Sequence, residues 1–159
     1  MDQPNIANLW NLNDKEYKIV PEGLVQDGSQ YIDRDYTFKN IAATLDGALH
    51  IMTAGSDKMI TEDQIGMSFE VDCDVTVYIL FGEKYTRQPV WMDDFFNMGK
   101  KVFRMDADKE TLKGIFTVYS KNFSKGKVEL GGCALPELMT PEFILNGGSN
   151  YCMYSVAVK

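Results

Sequence analysis

Between Phe81 and Trp91 the sequence reads FGEKYTRQPVW, which gathers Glu83, Tyr85, Arg87 and Trp91 into one connection. A carboxylate and a guanidinium fork bond hydroxyl groups directionally, and a flat apolar ring beside them suits the apolar face of a sugar. With Asp57 added, these residues form a kit for holding a polyol. For Trp91 itself the stronger expectation is core packing, because the indole carries a large hydrophobic payload. Arg87 and Glu83 are expected at the surface.

Catalysis would need a proton shuttle, a nucleophile or a metal, and the inventory is thin. The single histidine, His50, lies in GALHIMTA on an expected strand, where a satisfied sheet residue is the commoner outcome. GxSxG, HExxH, Gly-rich phosphate loops and EF-hand loops do not occur. Close acids occur at Asp33 and Asp35, Asp72 and Asp74, Asp93 and Asp94, and Asp106 and Asp108. Two carboxylates at a set separation would serve glycoside hydrolysis, and loop carboxylates would suit a structural calcium ion. In an acidic, turn-rich chain such acids are more often solvated faces, so the expectation is a protein without catalysis, with metal binding left open.

The elements that would position these groups are strands. MSFEVDCDVTVYILF, from Met67 to Phe81, alternates Phe69, Val71, Cys73, Val75 and Val77 with polar residues. It predicts two strands broken near residues 72–74, with Cys73 turned inward as a small apolar residue. Further strands are expected at 37–41, 48–54, 101–105, 115–120 and 127–131, and a C-terminal strand at 152–158 closes the sheet. Short helical pieces are expected at 93–98, with Gly99 as the C-cap, and around 141–145. Turn chemistry between short strands points to an all-β, antiparallel two-sheet sandwich.

A chain of 159 residues fits one domain, with residues 1–30 a polar segment that either wraps the sandwich or stays loose. A net charge of −7 argues against nucleic acid, whose backbone is held by concentrated Lys and Arg. No apolar run is long enough to span a bilayer, and the first residues do not read as a signal peptide. Cys133 and Cys152 flank the last long loop, where a disulfide and two free thiols are equally open. The sequon Asn122-Phe123-Ser124 matters only in a secreted chain.

The order of motifs carries a resemblance. YIDRDYTF (31–38), LDGALHIMTAGSDK (45–58), FEVDCDVTVYILF (69–81), PVWM with the later Gly99, YSKNFSKGKVELGG (119–132) and the closing MYSVAV run through most of the chain. Together they resemble an accessory β-sandwich domain of secreted bacterial polysaccharide-degrading proteins, similar to the galactose-binding-like, jelly-roll class of carbohydrate-binding modules. The resemblance implies a secreted, non-catalytic module whose partner is a polysaccharide or oligosaccharide. It places Asp33, Arg34 and Asp35 in a structured turn, Asp57 and Lys58 at a strand end, and Trp91 in a Pro-x-Trp step. Two positions depart from it: Gly82, Glu83 and Lys84 stand where an acidic pair and an arginine are usual, and Cys133 replaces an asparagine. The alternative is an interaction domain that self-associates into a homo-oligomer or binds a small hydrophobic ligand, for which nine methionines offer adaptable contact.

Overall fold

Among the described residues there are ten strands: β1 Ile6–Asn11, β2 Lys18–Val20, β3 Thr37–Lys39, β4 Leu49–Met52, β5 Ile65–Val71, β6 Val75–Gly82, β7 Phe96–Met105, β8 Leu112–Phe123, β9 Gly126–Gly131 and β10 Ser155–Val158. The computed structural model describes residues 3–148 and 151–159. The strands form two antiparallel sheets, one ordered β1-β5-β9 and the other β2-β4-β10-β6-β8-β7-β3. The architecture is an all-β sandwich.

Alternation along β5 and β6 builds the main core between the sheets. Met67, Phe69 and Val71 face Val77, Ile79 and Phe81, with Leu130, Tyr154 and Val156 completing the layer. The other face of β6 is buried as well. Tyr78 and Leu80 join Val102, Phe116, Val118 and Ala157 in a second core, roofed by Leu24, Phe38, Leu45 and Ala48. This explains the unbroken apolar run in VTVYILF, since a strand covered on both faces has no need of polar alternation. The C-terminal strand shares that property: β10 is buried throughout and lies between β4 and β6, not at the edge of the sheet.

Two expectations are corrected. Cys73 is exposed, because residues 72–74 form the turn between β5 and β6. The flanking acids fasten that turn: Asp72 accepts the Asn5 N–H at 3.0 Å and Asp74 the Lys125 N–H at 2.9 Å. The expected helix at 93–98 is a short 3-10 turn at Val90–Met92 followed by β7. There Phe96 and Asn97 pair with Ser120 and Tyr119, and cross-strand pairing overrides the local helical pattern. Gly99, at φ +68°, lies in the bulge of β7 and is no helix cap. The polar N-terminal segment wraps the sandwich by adding a strand to each sheet: β1 pairs with β5 and β2 with β4, so it crosses from one sheet to the other.

One helical turn, α1 Pro141–Leu145, forms as expected, with the Thr140 hydroxyl accepting the Phe143 N–H at 3.1 Å. Among the described residues no helix is long and apolar enough to cross a membrane.

Candidate functional site

Three strands cannot cover seven, and over β6, β8 and β7 part of the core-side face lies open. In register across these strands stand Phe81, Thr117 and Lys101, with Tyr119 and Asn97 in the next row. They line a polar pocket of about 370 Å³, completed by Gly82, Glu83, Tyr85, Arg87 and Gln88 from the connection after β6. Glu83 forms an ion pair with Lys101, whose ammonium also donates to the Thr117 hydroxyl at 2.7 Å. The Gln88 amide donates to the Tyr119 hydroxyl at 2.6 Å. Glu83, Tyr85 and Arg87 therefore do come together. Gln88, Asn97, Lys101, Thr117 and Tyr119 had no signal in the sequence, because only strand register brings them there.

Arg87 is heavily committed. Two of its nitrogens bond the Glu62 carboxylate at 2.9 and 2.8 Å, and Nε lies 2.9 Å from a Glu137 oxygen. Further bonds reach the Gln88 carbonyl at 3.0 Å and the second Glu137 oxygen at 3.2 Å. Both terminal nitrogens of the guanidinium are fully hydrogen-bonded, and Nε stands at ion-pair distance from Glu137. Arg87 thus ties the connection to Glu62 and Glu137 while lining the pocket. Its charge, with the Val90 N–H, holds the Glu62 carboxyl below its usual range against the opposing effect of burial.

Trp91 sits outside the polar pocket. Its indole N–H donates to the Gly132 carbonyl at 2.8 Å, and its ring meets Tyr154 and Phe95 edge-on at 5.6 and 5.8 Å. Bare backbone makes this possible: a Cβ at Gly131 would fall 2.3 Å from the indole ring, and one at Gly132 would fall 2.2 Å from the Ile60 carbonyl oxygen. One edge of the indole borders an open apolar groove of about 780 Å³ with Val90, Pro136 and Met139.

The other two candidates are withdrawn into the protein. Asp57 lies in a 3-10 turn at Gly55–Met59 and is fully buried. Its oxygens accept from the Asn13 amide at 2.7 Å and the Tyr17 hydroxyl at 2.5 Å, tying down the crossing between β1 and β2. Burial, reinforced by that carboxylate, raises the Tyr17 hydroxyl far above its ordinary range. Tyr85 is 8% exposed and donates to the Cys152 carbonyl at 2.9 Å, with its ring 4.6 Å from Phe81. It forms a wall of the pocket with its hydroxyl committed.

Cys133 and Cys152 are free thiols, and burial pushes Cys133 up to about 12. His50 is buried against Phe38 in the second core with Nε2 unpartnered, and burial lowers it to about 4. Several of the close acids have structural duties: Asp33 accepts the Gly55 and Ser56 N–H groups, Asp94 pairs with Lys121, and Asp108 fastens the turn before Thr111. Among the described residues no group of three or more His, Cys, Asp or Glu is placed to hold a metal ion.

No family model and no curated protein sequence matches the chain. Its fold is similar to a solved structure of a β-glucuronidase from glycoside hydrolase family 2, with a TM-score of 0.71 and 15% identity, covering 95% of this chain and 14% of that one. A weaker likeness, with a TM-score of 0.47 and 15% identity over 82% of this chain and 15% of the other, is to a family 138 glycoside hydrolase targeting pectin rhamnogalacturonan II. This chain thus spans a small fraction of the length of either enzyme.

Proposed function

We infer that this sandwich is a non-catalytic carbohydrate-binding module that holds a glycan in the polar pocket over β6, β8 and β7. The lining carries the inference. Glu83, Gln88, Asn97, Lys101, Thr117 and Tyr119 offer donors and acceptors together, from adjacent strands and one clamped connection. A polyol needs that mixture, because each hydroxyl both gives and takes a hydrogen bond. Side chains rooted in a sheet lose little freedom on binding, which favours recognition by a small number of contacts. The fold likeness to part of a β-glucuronidase is compatible with a module that serves a separate catalytic domain.

The test is a glycan array followed by titration calorimetry. A bound glycan is expected to bind about tenfold more weakly to Asn97→Ala and to Lys101→Met, each of which removes a hydrogen-bonding group worth about 1.5 kcal/mol. Silence across a broad array, or variants that bind like the unaltered protein, would count against the assignment. A second reading, contact with a partner chain or a second copy, is favoured by the apolar groove, where Val90 is 62% exposed. Light scattering that finds a stable oligomer, dissociated by Val90→Asp, would favour that reading instead.

A further inference from the structure

The chain carries 23 acidic and 16 basic residues, yet one pocket reverses the balance. At the end of the sandwich where β6 exits and the β7–β8 hairpin turns, Arg34, Lys58, Lys84, Arg104 and Lys113 line a cavity of about 360 Å³ beside Tyr36. No carboxylate is part of that lining. The five cations come from five separate stretches of chain, so their meeting is a product of the fold and not of a basic run. Glu83 and Lys84 are consecutive, and they line the polar pocket and the cationic pocket respectively.

The charges there are poorly compensated. Among the described residues Lys58, Lys84 and Arg104 form no ion pair, and Lys113 approaches Asp106 only to 3.8 Å. Arg34 alone has a close carboxylate, Asp33 at 3.0 Å. Arg104 is held in place nonetheless: its guanidinium lies 4.2 Å above the Tyr36 ring and donates to the Lys113 carbonyl at 3.0 Å. Burial lowers the Lys58 ammonium below its ordinary range, and the positive charges of Arg34 and Arg104 add to the effect. Like charges gathered in a concave, partly desolvated site focus a positive potential that an anion relieves.

We propose that this cationic pocket binds the oxyanion of an acidic saccharide, a carboxylate or a sulfate ester, through Lys58, Lys84 and Arg104. A fixed guanidinium matches the planar or tetrahedral array of oxyanion oxygens, and the two ammonium groups add charge without demanding one geometry. The half-open, concave lining lets one charged unit meet several cations at once. The saccharide part of the proposal rests on the glycan-binding reading above; the oxyanion part rests on the pocket alone.

Calorimetry with three oligosaccharides of equal length, one neutral, one of uronic acid units and one sulfated, tests it on the full chain. At low salt one of the charged oligosaccharides is expected to bind about tenfold more tightly than the neutral one, with the advantage shrinking as salt is added. Which of the two does so identifies the oxyanion. The double variant Lys58→Gln/Lys84→Gln should lose the advantage, whereas Asn97→Ala should weaken all binding while keeping the ratio. Melting curves establish that both variants fold. Equal affinity for charged and neutral oligosaccharides, or an advantage that survives the double variant, overturns the proposal while leaving the glycan reading in place. Failure of every saccharide, with inorganic sulfate alone stabilising the protein through the two lysines, overturns the saccharide assignment and the glycan reading together.

Discussion

Two half-exposed aromatic rings in this molecule have an arginine nearby, and the two neighbourhoods are built in opposite ways. On one side of the Trp91 corner, Arg87 bonds Glu62, Glu137 and the Gln88 carbonyl through both terminal nitrogens, with Nε at ion-pair distance from Glu137. At the other, Arg104 lies on the Tyr36 ring, bonds one carbonyl and meets no carboxylate among the described residues. The first arginine is neutralised and works as a clasp. The second keeps its charge available to whatever enters the pocket. What decides between the two is the set of acids that other segments deliver, and neither local sequence foretells it.

The comparison is broken most severely from the Trp91 side. A methyl group at Gly132 would lie 2.2 Å from the Ile60 carbonyl oxygen and 2.3 Å from that of Thr61, both backbone atoms that cannot swing aside. Gly132→Ala is therefore expected to cost about 4 kcal/mol, in the range of severe overpacking and strain. Urea denaturation measures it. A loss below about 1 kcal/mol would mean that the Ile60 and Thr61 backbone yields easily and the corner is not rigidly packed.

How much of this was legible beforehand depended on what each feature rests on. The strands at 49–52, 65–71, 75–82 and 126–131 announce themselves because their inward residues are Phe, Val, Ile, Leu and Met at every second position. β1 and β2, IANLWN and KIV, gave no signal. They are edge strands with mostly exposed side chains, joined to their sheets by backbone pairing, which carries no side-chain signature. β7 was obscured by DDFFNMG, whose acids, apolar pair and glycine imitate a short capped helix. In the candidate site, Glu83 was visible from its neighbours in the sequence. Lys101 and Thr117 required the β6-β8-β7 register, and Asp57 misled because a 3-10 turn aims its carboxylate at Asn13 and Tyr17 instead of solvent.

A smaller effect sharpens the role of Arg87 as a clasp. The Glu62 side chain is only 9% exposed, so Arg87→Ala leaves a carboxylate largely shielded from water and without its partner. Removing one member of a buried pair costs several kcal/mol. Here Arg87 is 39% exposed, so solvent screening reduces the expectation to a modest loss of stability at neutral pH. The pH dependence has a definite sign. Glu62 is held below the ordinary carboxylate range in the folded protein, so the stability it contributes is present above that range and is lost as the pH falls through the lowered pKa. The gap between the unaltered protein and the variant should therefore be widest near neutrality and close in acid. A gap that widens on acidification would assign the clasp to some other interaction.

The smallest effect has the opposite sign and comes from the cationic end. Lys58 stands among Arg34 and Arg104 without an ion pair among the described residues, and Lys58→Gln keeps much of the side-chain stem while removing one repelling charge. In the absence of ligand the variant is expected to be more stable than the unaltered protein by about 0.5 kcal/mol, the scale of a single solvent-screened charge interaction. Added salt separates repulsion from packing: raising sodium chloride from about 10 mM to about 500 mM shortens the screening length and should erase most of the gain. Urea melts at both salt concentrations measure it. If Lys58→Gln is destabilising at low salt, the ammonium has a partner that compensates it, and the two arginine neighbourhoods are less different than their geometry makes them.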